Sequence, residues 1–238
     1  MAIKFDNTRH TFTAPFDESL IAIINPYRTH YHKKKWIGEN RILYPKEPVY
    51  GNLSQIIGES IFISGSGTSS VEIADGSHYA MVEIVNSLEN WVKSYGPVKP
   101  SSETMTHHSV YSLVDDAKFV FHSHYPGWRI HDLFDLPTTH EDADYGTQFM
   151  AEEFERLLLH NKINTQQRII IMAGHEDGIV TWGDSALTAA FVMHQYAKKC
   201  EILIGNLFRD YEHKEKYLPK GKDISFEKVE EMKILLAA

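Results

Sequence analysis

The sequence predicts a mixed α/β domain with helices packed around a sheet, on three observations. First, short β-rich runs are spread along the chain. "SIFISG" (residues 60–65) alternates apolar and polar residues, "AKFVFHSH" (117–124) is short and β-rich, and "RIIIMAG" (168–174) is a buried-strand run closed by glycine. Second, stretches of helical period lie between them: "ETMTHHSVYSLV", "QFMAEEFERLLL" and "SALTAAFVMHQYAKK". Each follows a plausible N-cap, at Ser102, Thr147 and Asp184. Third, the two kinds of segment are interspersed without regular βαβ alternation, which favours helices around one sheet over a doubly wound fold. "YAMVEIVN" (79–86) fits a strand and a helix period equally, and "SFEKVEEMKILLA" predicts a last short helix.

A chain of 238 residues, 42% hydrophobic and 12% aromatic, can bury a sizeable core. We expect one domain over 1–238, with an N-terminal segment at 1–45 and a helical tail at 205–238. A net charge of −8 argues against nucleic acid or an anionic membrane as the main partner. The single cysteine, Cys200, rules out an internal disulfide and a thiolate zinc cluster. The start shows no apolar signal region, and no apolar run nears the roughly 20 residues of a membrane span, so the expectation is a cytoplasmic protein.

Fourteen histidines make about one His-x-His pair expected by chance, so that spacing alone carries little. The chain contains two such pairs. His30 and His32 sit beside three consecutive lysines that would repel a divalent cation, so a solvated or subunit-contact face is expected there. His122 and His124 end a β-rich run, before Pro126 and Gly127. In a strand, residues i and i+2 face one side, about 7 Å apart along the backbone, so both imidazoles can reach one cation. His175 follows another buried run, again at a strand end. Glu103 lies in the first turn of a predicted helix, near free backbone N–H groups, and can serve as a fourth ligand or as a base. Three neutral imidazoles with one carboxylate suit Zn²⁺ or another borderline divalent metal. His107, His108, His131, His140, His160 and His194 read as packing or surface residues.

Three small hydroxyl- and amide-rich pieces can supply donors to an anion: "GNLS" (51–54), "SGSG" (64–67) and Ser101–Ser102. Such loops are more often plain turns.

With these residues in place, the chain resembles the class II aldolase/adducin family over most of 50–199. The most specific part is "KPSSETMTHHSVYSLVDDAKFVFHSH", which is similar to the family's Pro-Ser-Ser-Glu helix, with His107 and Tyr111 following the glutamate and then the His-x-His strand. "YGNLS" resembles the Gly-Asn-x-Ser loop, "IFISGSG" the strand and phosphate turn, "ADYGTQFMAEEFERLL" the Gly-Thr segment and its helix, and "MAGHEDGIVTWGDSALTAAFVMHQYAKKC" the segment of the third histidine. The resemblance resolves "YAMVEIVN" as a strand paired with "NWVKSY".

It implies a central, mainly antiparallel sheet in a three-layer α/β/α domain, and a homotetramer with sites near subunit interfaces. It implies that His122, His124 and His175 bind zinc, that Glu103 is the metal-competing acid/base, and that Asn52, Ser66, Gly67, Ser101 and Ser102 hold the phosphate of a small phosphorylated sugar. Family chemistry includes retro-aldol cleavage through a metal-stabilised enediolate and dehydration of methylthioribulose phosphate; some members are non-catalytic assembly modules. A glutamate at 103 favours aldolase or dehydratase over the epimerase branch, which carries aspartate. Three departures stand out. "HEDG" replaces the usual His-Gly at the third histidine, "SGSG" lacks the turn proline, and the segment between His124 and Gly146 is short and lacks the usual proton-donating tyrosine, for which Tyr145 is a substitute candidate.

Overall fold

The computed structural model describes residues 5–45, 48–160 and 166–237; residues 1–4, at the start read for a signal, lie outside them. The strands are β1 (Asp6–Phe12), β2 (Gly38–Glu39), β3 (Val49–Tyr50), β4 (Asn52–Ile57), β5 (Ser60–Ser64), β6 (Tyr79–Asn86), β7 (Trp91–Gly96), β8 (Phe119–His124), β9 (Ile169–Ile171) and β10 (Gly178–Gly183). The helices are α1 (Glu18–Ile21), α2 (Asn25–Lys33), α3 (Thr104–Leu113), α4 (Gln148–His160), α5 (Ala186–Arg209) and α6 (Phe226–Ala237).

Eight strands form one sheet in the order β1-β7-β6-β5-β4-β8-β10-β9, while β2 and β3 pair separately. Every neighbouring pair in the large sheet is antiparallel except β1 with β7. This is the mainly antiparallel α/β arrangement expected. The ambiguous 79–86 segment is β6, hydrogen-bonded to β7.

Strand periodicity sorts the core into two faces. Phe121, Leu53, Ile169, Ile171 and Ile179 point to one side, against Tyr31 of α2, Met193 of α5 and Val229 of α6. Their neighbours Val120, Ile170, Val180 and Trp182 point to the other, against Val110 of α3 and Met150 and Phe154 of α4. Strands β8, β9 and β10 are thus apolar on both faces, as a sheet between helix layers requires. Burying each such side chain stabilises the fold by about 1.5–3 kcal/mol. Cys200 of α5 lies in the first of these faces, fully buried. Burial pushes its thiol up to about 12.

Local details differ from expectation in three places. The cap of α3 is Glu103 rather than Ser102, because Ser101 folds under it: Ser101 Oγ accepts from the Glu103 amide at 3.3 Å, and Thr104 Oγ1 donates to the Ser101 carbonyl at 2.7 Å. The cap of α5 is Ser185 rather than Asp184. Ser185 has the extended backbone a cap needs and accepts from the Thr188 amide, while Asp184 takes only the Thr188 hydroxyl. Asn52 to Ser54, read as part of a loop, begin β4 instead. Gly51 makes the turn into that strand at φ +73°, where a Cβ would lie 2.4 Å from Ile37 Cγ2. No helix among the described residues is long and apolar enough to cross a membrane.

Arg28 of α2 is a buried cation whose hydrogen bonds go to carbonyls: Nη2 donates to Thr68 at 2.6 Å and Nη1 to Val71 at 2.8 Å. It ties α2 to the short turn that follows Ser66 and Gly67. Arg28→Ala leaves a cavity and takes a donor from two carbonyls, of which that of Thr68 keeps the Val71 amide, and we predict a loss of about 2–4 kcal/mol. Urea denaturation measures it; a loss below about 1 kcal/mol would show that those carbonyls find other partners.

Candidate metal and anion site

The central strand β8 sets the site. Its register places Asn52 of β4 opposite His122, and Gly178 of β10 opposite His124. His122 and His124 share one face with a spacing of two. The hairpin between β9 and β10 returns His175 to the same end of the sheet, through backbone bonds from His175 N to Met172 O (3.0 Å) and from Gly178 N to His175 O (2.8 Å). At Gly178 a side chain would meet the His175 ring at 2.7 Å, so the hairpin closes only on glycine.

The three imidazoles converge, with ligand nitrogens all within 4.8 Å of one another. His124 Nε2 and His175 Nε2 are 2.9 Å apart. Glu103 Oε2 lies 3.0 Å from His122 Nε2, and Oε1 lies 3.9 Å from His175 Nε2. The 3.0 Å approach lacks in-line hydrogen-bond geometry, which leaves His122 Nε2 a buried nitrogen with no hydrogen bond. A buried lone pair aimed at a carboxylate and two other imidazoles is the environment of a cation site. Burial also keeps the His122 and His124 rings neutral, as metal ligation requires. It pushes His122 down to about 3, against a smaller upward pull from the Ile179 backbone, and it pushes His124 well below the usual imidazole range.

Glu103 is fixed from strand β4: Asn52 Nδ2 donates to its Oε2 at 2.8 Å. The same pairing continues one helical turn on. Ser54 Oγ contacts His107 Nδ1 and the Tyr111 hydroxyl, both at 2.6 Å, with all three groups withdrawn from water. Residues 103, 107 and 111 of the helix side thus mate with 52 and 54 of the strand. Sequence reasoning placed His107 among packing or surface residues and Ser54 in a donor-rich loop, and did not join the two. The available signal was a polar stripe at i, i+4 and i+8 facing polar positions at i and i+2.

The small-residue pieces meet beside this centre. Gly65 bridges to Pro100, and the amides of Ser66 and Ser101 donate to Lys99 and Ser64. A cavity of about 920 Å³ is lined by all nine expected residues: Asn52, Ser66, Gly67, Ser101, Ser102, Glu103, His122, His124 and His175. Asn52, expected at the anion, has its amide committed to Glu103. Tyr44, Tyr50 and Tyr145 also line the cavity, with the Tyr145 ring 4.7 Å from that of His175. Elsewhere, His30 faces His194 with Nε2 atoms 3.1 Å apart, outside this cavity, so His194 has a partner that the sequence did not suggest. The side chain of His160 lies outside the described residues.

Fold and site together define an α/β protein with a trihistidine–carboxylate centre at the end of an antiparallel sheet. The family model for the Class II Aldolase and Adducin N-terminal domain matches residues 46–204, and the chain belongs to that family. Among solved structures, the chain is similar to an L-fuculose 1-phosphate aldolase at 19% identity, covering 92% of this chain and 97% of that one with a TM-score of 0.55. It is also similar to an L-fuculose-1-phosphate aldolase from Thermus thermophilus (16% identity, 86% and 98% covered, TM-score 0.58) and a sugar-phosphate aldolase from Thermotoga maritima (14%, 77% and 93%, 0.58). At these identities the likeness concerns the fold. A search of curated proteins finds no significant match.

The depressed imidazoles give a pH prediction for metal-free protein. A histidine whose pKa falls on folding binds its proton more readily in the unfolded chain. Unfolded protein therefore holds more protons between about 3 and 6.5, and stability rises with pH across that window. Stability from His107, His122 and His124 is fully present above 6.5 and is lost progressively as the pH falls below it. Metal-free protein should melt roughly 5 °C or more lower at pH 5 than at pH 7.5; equal melting temperatures would mean that these rings are solvated or already charged.

Proposed function

We propose that this protein is a divalent-metal-dependent lyase that cleaves a small phosphorylated ketose by retro-aldol chemistry. The observation that carries the reading is the convergence of His122, His124 and His175 within 4.8 Å, with the Glu103 carboxylate at 3.0 Å from the first. Three neutral nitrogens and a displaceable carboxylate suit Zn²⁺ or a similar borderline ion. When bound, such an ion supplies Lewis-acid stabilisation of an enediolate.

The chain's own residues would do the rest. Ser66, Gly67, Ser101 and Ser102 line the cavity and would hold the phosphate. Because the amides of Ser66 and Ser101 are already used, these two serines act through their hydroxyls. Ser101 Oγ accepts from the Glu103 amide and has its proton to donate. In cleavage, the bond between the α and β carbons would break as the β-hydroxyl gives up its proton and becomes the aldehyde carbonyl; the electron pair stays with the α carbon as the enediolate, and Glu103 carries the released proton to that carbon. Asn52 orients Glu103 for the transfer. Glu103 in this position serves dehydration of a sugar phosphate equally well, and product analysis on a panel of ketose phosphates divides the two. An adducin-like assembly module is the reading left if neither reaction nor metal is found. The family resemblance supports a cytoplasmic homotetramer formed from a single domain over 1–238; sedimentation tests the oligomer.

Glu103→Gln preserves an acceptor for Asn52 but removes the proton carrier. We predict at least a hundredfold loss of turnover with about one metal ion retained per chain. Metal content and steady-state rates measure both. Retained turnover removes the role given to Glu103, and wild-type protein that takes up no metal after supplementation removes the enzyme reading.

A further inference from the structure

The two carboxylates of "HEDG" follow the third histidine, and the structure separates their fates. Glu176 is exposed, whereas Asp177 is buried with its backbone in the left-handed region at φ +62°. A non-glycine residue holds that conformation when its surroundings over-determine it. The surroundings of Asp177 do so through both side chain and main chain. Its carboxylate accepts from the Tyr44 hydroxyl at 2.7 Å and from Arg129 Nε and Nη2 at 3.2 and 3.4 Å. Its carbonyl accepts from the amide of Tyr125, the residue after His124, at 2.9 Å. Arg129 in turn reaches Glu176 at 3.0 Å and approaches Glu231 of α6 at 3.8 Å. The Tyr44 ring, tethered by its hydroxyl, packs edge-on against His124 with centroids 5.0 Å apart and also touches Tyr50.

Asp177 therefore binds three pieces: the hairpin that carries His175, the strand end that carries His124, and the tyrosine wall of the cavity. We propose that Asp177, locked by Arg129, is a positioning residue that sets the distance between His124 and His175 and holds Tyr44 against His124. The inference rests on the metal reading above. The carboxylate touches none of the three imidazoles, so its effect is through geometry. The strain of the left-handed residue is offset by a buried charge pair that a glycine could not make.

The test exploits that difference. Asp177→Gly removes the carboxylate while easing the backbone, so a residue that merely filled the turn would be replaced without loss. We expect the opposite: Zn²⁺ affinity, measured by chelator competition on the full chain, falls ten- to a hundredfold, and the visible spectrum of the Co²⁺-substituted protein changes. Arg129→Gln, on a different segment, should shift both readouts in the same direction. Affinity within twofold of wild type in Asp177→Gly overturns the proposal. If that variant does not fold, unchanged affinity in Arg129→Gln overturns it equally. Wild-type protein that binds no metal would sink the functional reading instead. The lock would then be read on the metal-free chain, from hydrogen exchange at the Tyr125 amide. Asp177→Gly, or Arg129→Gln in its place, should speed that exchange at least tenfold, and an unchanged rate refutes the lock.

Discussion

The structure depends on one buried polar seam between helix α3 and strand β4. A helix repeats its face every four residues and a strand every two, so Glu103, His107 and Tyr111 can mate with Asn52 and Ser54 in a single docking of the two elements. Buried polar groups are costly unless paired, so a shift of the helix by one residue would strand several at once. That penalty fixes α3 against the sheet more sharply than apolar packing around Val110 can. Because β4 is also hydrogen-bonded to β8, with Asn52 opposite His122, the seam places the carboxylate beside the first imidazole.

The same logic shapes the electrostatics of the cavity. His122 and His124 are withdrawn from water and held neutral, while the Glu103 carboxylate beside them accepts from the Asn52 amide. Imidazoles beside a carboxylate are a donor set that suits a divalent ion. Arg41 lines the cavity, while Arg28 and Arg129 do not. Arg129 is committed to Asp177 and Glu176, and Arg28 to main-chain carbonyls under the small-residue turn.

Much of this was legible in the chain, and what was not has a common cause. The strand at 119–124, its two same-facing histidines, the apolar run before His175 and the helix after Ser101–Ser102 are local patterns, readable within windows of ten or so residues. The fold class followed from how such windows are ordered. The pairing of Asn52 with Glu103, the contact of Ser54 with His107, and the gathering of Tyr44, Arg129 and Asp177 join residues far apart in sequence; they arise from strand register and hairpin closure, which no local window contains. Helix caps were misplaced by one residue where two capping side chains stand side by side, because backbone angles rather than residue type decide between Asp184 and Ser185. The segment at 52–54 was read as a loop because its small polar side chains look like turn chemistry; buried against α3, they are strand positions.

The environment of Cys200 has a practical side. A thiol fully enclosed by α5 and its neighbours, with ionisation pushed up to about 12, holds almost no thiolate at neutral pH. The native chain is in effect silent toward maleimides and mild oxidants. Reporter groups can therefore be attached through a single introduced cysteine, at the cavity rim or on α6, without first removing the one that nature placed there.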